Sequence, residues 1–489
     1  MAAGINYFRL LWNLYRQKRN AGRKKEQIEK LQKKKLEKML LYAYDHSPYY
    51  RKAFEAEGIF RENIRTMPLE RFPVLDKGIL MEHFDELVTD RSLKQEELLR
   101  FDEGSEDGGE MYLGKYHVVH SSGSTGTPRY FVYDHTAWEQ VLVGIIRGAL
   151  WGMSMGSVLR LLAEKPRILY IAATDGRYGG AMAVGDGIRG VRAEQRFLDI
   201  STPLAKWSEA VREFRPNIII GYPSAVKILA ELSDREKEPL YVRRVISCGE
   251  PLSAGLRKFL EDAFHAEVIN FYGASESLAL GVEQRADEGM ILFDDLNVVE
   301  VVDGEMYVTC LYNFTQPLIR YHMSDKLVLH EPKTDKKRCL FGLGKGRMRS
   351  ILQSVTEGRF FTRADVLLCR NEDVLWFEKP DGSRECLHPL SMEGFCMEGL
   401  LDYQFCQTSV TSFEMLAEIG ESAEPVRVTG EILRQVRKLL ADKNLEEIQF
   451  SVRFVGQITP DQHTGKKPLI IRRMEDKKND KDKHYRKAI

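Results

Sequence analysis

The feature that most constrains the fold is an alternation of short apolar runs with helix-length segments in the middle of the chain. The apolar runs lie at 168–171, 218–220, 245–246 and 268–269. The segments expected to be helical lie at 137–151, 206–214, 224–233 and 254–264. Because strands and helices that alternate at this spacing are typical of βαβ units, the pattern predicts an α/β domain with a largely parallel, buried sheet.

The loops that follow these runs carry glycines beside polar or aromatic residues. In open α/β sheets, the loops at the carboxyl ends of the strands form the crevice in which ligands bind. Each loop alone also fits an ordinary strand-to-helix turn with capping residues, but three in succession favour a binding site. The candidate residues are Gly221 and Tyr222, then Gly249, Glu250 and Pro251, then Asn270, Phe271, Tyr272, Gly273, Ala274, Ser275 and Glu276.

A loop rich in hydroxyl residues and glycine lies upstream of the alternating region. β-branched and aromatic runs at 116–119 and 130–133 predict a strand on each side, and Arg129 adds positive charge. Backbone N–H groups and hydroxyl donors in such a loop suit a polyphosphate, while a plain polar turn is the alternative. It is not a Walker loop, because no Gly-Lys-Ser/Thr closes it. The candidate ligands are Ser121, Ser122, Gly123, Ser124, Thr125 and Gly126.

Composition sets further limits. A chain of 489 residues predicts roughly two to four domains, and a formal net charge of zero gives no general case for nucleic-acid binding. Seven cysteines without a Cys-x-x-Cys pair favour free thiols in a reducing compartment. The chain has neither an apolar run of about 20 residues nor a signal-peptide layout, so we expect a cytoplasmic protein.

The N-terminal 45 residues show apolar residues at helical spacing, and the stretch 16–38 is strongly basic. This pattern predicts helix. A solvated helix with one stripe docked on the main domain is one interpretation. Peripheral contact with a membrane or with a protein partner is the other.

Together these segments resemble the adenylate-forming superfamily of acyl and aryl ligases, in particular the phenylacetate–CoA ligase-like proteins, some of which are found in capsular polysaccharide loci. The resemblance covers residues 31–467, and its motifs occur in the family's order. The matching segments are the phosphate loop Ser121–Pro128, Gly249-Glu250-Pro251, Tyr272-Gly273-Ala274-Ser275-Glu276, Ile319-Arg320-Tyr321 with Asp325, Gly346-Arg347 and Gly465-Lys466.

The resemblance implies a large α/β N-terminal domain with mainly parallel sheets and a β subdomain, followed by a small, mobile α+β C-terminal domain. The expected segments are a basic helical segment at 1–45, the ATP- and substrate-binding domain at 46–346, a lid domain at 347–475 and a charged, disordered tail at 476–489. At the hinge, Arg349 stands where relatives usually carry aspartate or lysine.

The resemblance also implies a two-step reaction. A carboxylate attacks the α-phosphorus of ATP to give an acyl-adenylate and pyrophosphate, and a thiol of CoA or of a carrier protein then takes the acyl group. The alternatives are an adenylyltransferase that moves AMP onto a hydroxyl, and a non-catalytic relative held in an assembly. The sequence identifies neither the acid nor the acceptor, and it fits a monomer or a homodimer.

The family's motifs also assign roles to individual residues. Asp325 would accept hydrogen bonds from the ribose hydroxyls, and Tyr272 and Gly249 would accommodate the adenine. Lys466, with Arg347 and Glu276 as the other catalytic candidates, would reach the α-phosphate and the carboxylate as charge builds in the transition state. The substrate pocket, which suits an aryl or medium-sized acid, would be lined by Tyr178, Gly179, Gly221 and Tyr222.

Metal binding is expected at one place. Glu276 would hold Mg²⁺ that is shared with the phosphates of ATP. No zinc site is expected after the Tyr-Gly motif, because Gln284 and Ile291 stand where some relatives carry Cys or His ligands. An irregularly spaced set is a weaker metal candidate; its members are Cys386, His388, Cys396 and Cys406.

Overall fold

A computed structural model describes most of the chain. The residues outside this description are 1–6, 105–109, 121–128, 173–178, 189–192, 200–201, 203, 236–239, 251, 303, 324, 331–357, 368–374, 380–383, 388–391, 393–394, 396, 398, 421–422, 443–444, 460–467 and 473–489. The chain divides into two compact units, Met1–Leu368 with Gln462–Lys466 and Cys369–Asp461 with Lys467–Ile489.

Helices are concentrated in the first unit. None of the helices in the described part of the chain is both long and apolar enough to cross a bilayer. The α-helices are α1 Tyr7–Ala21, α2 Lys25–His46, α3 Pro48–Ala56, α4 Lys77–Glu82, α5 Phe84–Leu87, α6 Gln95–Gly104, α7 His135–Ala149, α8 Met155–Ala163, α9 Gly179–Ile188, α10 Leu204–Phe214, α11 Pro223–Arg235, α12 Ala254–Phe264 and α13 Pro425–Asp442, and short 3₁₀ turns lie at Leu69–Arg71 and Ala286–Glu288.

Strands occur in both units. The strands of the first unit are β1 Tyr116–His120, β2 Tyr130–Asp134, β3 Arg167–Ala172, β4 Glu194–Asp199, β5 Ile218–Gly221, β6 Arg244–Cys248, β7 Glu267–Ala274, β8 Ser277–Glu283, β9 Met290–Leu292, β10 Asn297–Val302, β11 Glu305–Cys310, β12 Tyr321–His322, β13 Lys326–Leu329 and β14 Arg363–Leu367. Those of the second are β15 Leu375–Glu378, β16 Arg384–Leu387, β17 Leu400–Ser409, β18 Ser412–Ile419, β19 Gln449–Val455 and β20 Ile470–Arg472.

A mixed sheet forms the centre of the first unit. Its strand order among the described residues is β13-β14-β9-β8-β7-β6-β5-β3-β4. The pairs from β4 to β7 are parallel, and those from β7 to β13 are antiparallel. The central strands are buried because helices cover both faces, which is why their sequences are continuous apolar runs rather than alternating ones. The predicted α/β class is confirmed, and the strands recognised as apolar runs form the parallel half of the sheet.

The sequence pattern located the helices next to this sheet but missed its edge strand β4. The four predicted helices match α7, α10, α11 and α12 to within a few residues. Strand β4 has no apolar run, because it lies at the end of the strand order and its residues are mostly polar and partly exposed. A polar edge strand of this kind does not stand out from a loop by periodicity.

The hairpin of β1 and β2 flanks the hydroxyl-rich loop, as predicted, with His120 opposite Tyr130 in the register. At the free edge of β2, the side chain of Gln316 makes the backbone hydrogen bonds that a further strand would otherwise make. The amide of Gln316 accepts from the N–H of Val132 at 2.7 Å and donates to the carbonyl of Tyr130 at 3.1 Å. Since these backbone groups are buried, satisfying them fixes the position of the hairpin.

The second unit contains a four-stranded sheet in the order β19-β18-β17-β20 and a β15–β16 hairpin. The helix α13 contributes Val428, Ile432 and Val436 to the core that covers this sheet. The unit is therefore α+β, as the resemblance implied.

Candidate active site at the ends of the parallel strands

In the first unit, the parallel strands β5 and β6 end side by side, and the neighbouring β7 continues past them to Ala274. The register aligns Gly221 of β5 with Ser247 of β6, and Ser247 with Asn270 of β7. The segments that follow these residues carry the predicted binding residues and lie at one edge of the sheet. This edge is where ligands of α/β proteins bind.

Two of the predicted motifs meet at this edge. The hydroxyl of Tyr272 donates a hydrogen bond to Oδ2 of Asp325 at 2.8 Å. Burial, and then the negative charge of Asp325, raise the pKa of Tyr272 well above its ordinary value. The hydroxyl therefore keeps its proton at physiological pH and remains a donor to the carboxylate.

Glu276 lies beside Arg129, the residue that follows the hydroxyl-rich loop. The guanidinium Nη1 of Arg129 is 3.8 Å from Oε1 of Glu276 and donates to the hydroxyl of Tyr321 at 3.3 Å. The side chains of Arg129 and Glu276 are 19% and 12% exposed, so their charges are only partly screened by water. The end of β7 and the start of β2 thus place one carboxylate and one cation together.

Two further hydrogen bonds fasten the end of β7 to the hairpin. The hydroxyl of Tyr133 donates to the carbonyl of Ser275 at 2.7 Å. The hydroxyl of Ser275 donates to the carbonyl of His120 at 3.4 Å. These bonds hold His120, the last described residue before the loop 121–128, next to the Tyr-Gly-Ala-Ser-Glu motif.

The backbone of Gly249 packs against the ring of Tyr222. Gly249 has a φ of +78°, and a Cβ atom at this position would lie 2.6 Å from Cε1 of Tyr222. Both the left-handed backbone and the ring therefore require glycine. Position 221 requires glycine for a different reason, because a Cβ atom there would lie 2.2 Å from the carbonyl oxygen of Ile171 on the neighbouring strand.

Other predicted residues have structural partners. The amide of Asn270 donates to Glu283 at 2.8 Å. Phe271 lies in the apolar core, where a Cβ on Gly148 of α7 would come within 2.5 Å of its ring. Glu250 accepts from the N–H of Ser224 at 3.2 Å, in the first turn of α11.

The remaining predicted residues divide into two groups. Gly179 is the first residue of α9, and Gly273 and Ala274 are the last residues of β7. The others lie outside the described residues; they are Ser121, Ser122, Gly123, Ser124, Thr125, Gly126, Tyr178, Pro251, Arg347, Arg349 and Lys466. Of the cysteine and histidine set, His388 and Cys396 also lie outside them, and so does the side chain of Cys386.

Arg320 proves to be a scaffold residue. It has a φ of +47°, its Nε is 3.1 Å from Oε1 of Glu300, and its Nη1 donates to the carbonyls of Glu70 and Phe72. The backbone of Leu75 bonds with Arg320 and His322 on either side. These contacts fix the course of the chain just before Asp325, so this arginine positions the motif's aspartate.

Sequence reasoning missed one polar cluster beside the loop. Nδ1 of His120 lies 2.9 Å from Oδ2 of Asp102, and the hydroxyl of Tyr130 donates to the same oxygen at 3.2 Å. His120 could have been noticed because it adjoins the loop. Asp102 lies in α6, and no spacing in the sequence connects it with His120.

Comparisons with known proteins bear on this geometry. Residues 116–291 match the model of the AMP-binding enzyme family. A phenylacetate-coenzyme A ligase from Aromatoleum evansii is 24% identical over 373 residues, which is 71% of this chain and 76% of that protein. A phenylacetate-coenzyme A ligase from Thermus thermophilus is also 24% identical, over 72% of this chain and 76% of that protein.

The chain contains an AMP-binding enzyme domain at residues 116–291 and is similar to the phenylacetate–CoA ligases of the adenylate-forming superfamily. It is accordingly an AMP-forming ligase of the acyl- and aryl-CoA ligase type. A solved structure agrees with the fold: 2-hydroxyisobutyryl-CoA ligase, in complex with 2-HIB-AMP, superposes with a TM-score of 0.65 at 19% identity, over 90% of this chain and 88% of that one. The matched segment 116–291 contains the hairpin and the parallel strands that build the edge described above.

Proposed function

We propose that the protein activates a carboxylic acid as its acyl-adenylate, with release of pyrophosphate, and transfers the acyl group to a thiol of CoA or of a carrier. The observation that carries this proposal is the hydrogen bond between Tyr272 and Asp325. It brings two motifs of the adenylate-forming family to one edge of the sheet, beside Glu276 and the base of the phosphate loop.

Asp325 is proposed to bind the ribose of ATP. An ionised carboxylate has about four lone-pair positions, and Tyr272 uses one of them. The others can accept hydrogen bonds from both ribose hydroxyls. Tyr272, held by the same bond, and Gly249, which lacks a side chain, are proposed to border the adenine.

Glu276 is the residue proposed to hold Mg²⁺. Mg²⁺ in ATP-dependent enzymes is usually bound by one or two carboxylates together with substrate phosphates, and the carboxylate of Glu276, near the loop, fits that donor set. Bound Mg²⁺ would neutralise charge on the phosphate oxygens. Arg129, 3.8 Å from Glu276, adds positive charge where the triphosphate is proposed to lie.

Two residues outside the described part of the chain complete the proposal. Lys466 and Arg347 would stabilise the charge that develops when the carboxylate attacks the α-phosphorus, while residues 121–126 hold the β- and γ-phosphates. We further propose that the part of residues 347–475 that follows β14 acts as a lid, since β14 itself pairs with β9 and β13 in the sheet of the first unit and would not turn about Arg349 with it. This motion would bring Lys466 to the α-phosphate for the first step and remove it for the second.

The acid is proposed to be aryl or medium-sized. The buried ring of Tyr222 lies directly after β5, and Tyr170 of β3 belongs to the same apolar cluster. Aromatic side chains at such a site favour an apolar substrate body. The relatives named above as phenylacetate-coenzyme A ligases agree with this class of acid.

The decisive experiment measures ATP–pyrophosphate exchange over a panel of aryl and aliphatic acids, with hydroxylamine as a trap for acyl-adenylate. We expect acid-dependent exchange and a hydroxamate product. Lys466→Ala should lower the exchange rate by roughly 10²–10³-fold, as for loss of one preorganised donor, with little change in ATP binding. Lys467→Ala is the matched control, since it removes the adjacent lysine.

The outcomes separate the alternatives. A labelled AMP adduct on an alcohol, without any hydroxamate, would identify an adenylyltransferase instead. Failure of the purified protein to bind ATP would favour a non-catalytic relative. Equal exchange rates for wild type and Lys466→Ala would remove the catalytic role from that lysine.

A further inference from the structure

Helix α1 leaves large apolar side chains exposed while it buries polar ones against the first unit. Its buried residues are Asn13, Gln17 and Asn20 together with the apolar Leu10 and Ala21. Its exposed residues include Leu11, Trp12 and Tyr15, which are 64%, 55% and 58% exposed. A helix at the surface of a globular protein normally turns apolar side chains of this size toward the core.

Polar contacts fix this orientation. The guanidinium of Arg9 donates to both oxygens of the buried Glu139, at 2.5 and 2.6 Å. The amide of Asn20 donates to Asp295 at 2.9 Å, and Arg147 of α7 donates to the carbonyl of Gln17 at 3.2 Å. Rotation of α1 about its axis would break charge-assisted hydrogen bonds to buried carboxylates. Burying the exposed apolar residues in this way would therefore cost free energy.

The outward-facing residues form one continuous surface, which we call the α1 patch: Leu11, Trp12 and Tyr15. Tyr15 follows Leu11 by four positions and Trp12 by three, so the three side chains share one side of the helix, and the rings of Trp12 and Tyr15 are 5.8 Å apart. Clustered exposed aromatic and aliphatic side chains are costly to hydrate, and such patches mark contact surfaces.

Positive charge lies next to the α1 patch along the helix. Helix α1 contains Arg9, Arg16, Lys18 and Arg19 and no acidic residue. Arg16 and Arg19 are exposed and lie one turn beyond Trp12 and Tyr15 on the same side. Lysines 24 and 25, at the start of α2, are exposed as well. The binding partner of this surface should therefore have an apolar interior and negatively charged groups at its surface.

We propose that the α1 patch binds the surface of an anionic membrane, with the Trp and Tyr rings at the headgroup level and the basic residues among lipid phosphates. Trp and Tyr prefer this depth, and basic residues on interfacial helices attract anionic lipid. A second copy of the chain is disfavoured, because a two-fold contact would place equal positive charges against each other. This proposal is independent of the catalytic one.

The test is co-sedimentation of the full-length protein with vesicles. We expect binding to phosphatidylcholine vesicles that contain phosphatidylglycerol, at least tenfold weaker binding to phosphatidylcholine alone, and loss of binding at high salt. Replacing all three residues, Leu11→Ser with Trp12→Ser and Tyr15→Ser, should lower the affinity at least tenfold. Tyr241→Ser is the matched control, since Tyr241 is an 86% exposed aromatic residue elsewhere in the same unit.

The charge contribution is tested separately by Arg16→Gln combined with Arg19→Gln, which should lower binding to anionic vesicles while the patch stays intact. The thermal unfolding midpoint should be unchanged in every variant, which shows that the protein remains folded. The proposal is overturned if the wild type does not sediment with anionic vesicles, or if the triple variant sediments equally well. It is also overturned if the triple variant changes only the oligomeric state, since the patch would then join protein copies.

Discussion

Replacing Tyr272 by phenylalanine should raise the KM for ATP about tenfold and leave kcat nearly unchanged. The variant loses a 2.8 Å hydrogen bond to the carboxylate of Asp325 and keeps the ring. Hydrogen bonds to charged groups contribute about 1.5–3 kcal/mol, and about 1.4 kcal/mol corresponds to a factor of ten in affinity. We expect the lower end of that range, because Tyr272 is only partly buried and water can replace part of the lost bond.

The effect should fall on KM, because ribose contacts are the same in the ground state and in the transition state. Steady-state kinetics of pyrophosphate exchange, with ATP varied, measures both constants. Tyr44→Phe is the matched control, since the hydroxyl of Tyr44 donates to Glu55 at the same 2.8 Å on an exposed surface. An unchanged KM for Tyr272→Phe would refute the reasoning, and so would a loss confined to kcat.

Three further predictions concern the fold that supports the site. Gly249→Ala should destabilise the first unit by about 1–3 kcal/mol, because the new Cβ would overlap the ring of Tyr222; thermal unfolding measures it. Asp295→Ala should cost about 3–5 kcal/mol in urea unfolding, since it leaves the fully buried Arg147 without the carboxylate that it contacts at 3.0 Å. Burial raises the pKa of Asp294 to about 7. In the unfolded chain the same carboxyl ionises near pH 4. The folded state therefore binds the extra proton, and the resulting stabilisation, full below about pH 4, is lost as the pH rises through about 7. Asp294→Asn should accordingly gain stability relative to the wild type over that interval, and urea midpoints at several pH values would reveal a flat difference if this account is wrong.

Local sequence was most informative where structure is set by near neighbours. The parallel strands are buried on both faces, so they appear as apolar runs that can be recognised directly. Helix α12 was predicted with its observed bounds, Ala254–Phe264, because Ser253 caps it and its apolar residues recur at helical spacing. The edge strand β4 gave no such signal, because half-exposed polar residues are equally typical of loops.

The sequence by itself determined the α/β class and the order of the adenylate-forming motifs, because periodicity and motif chemistry depend on residues that are close along the chain. The tertiary structure alone decided which distant side chains meet. It pairs Tyr272 with Asp325 and Asp102 with His120, and it makes Arg320 a scaffold for the chain before Asp325. It also decided that α1 buries its asparagines and exposes its tryptophan, since the carboxylates that hold this helix come from α7 and from the turn before β10. Helical spacing identifies the two faces of such a helix, but only the partners supplied by the rest of the chain determine which face is buried.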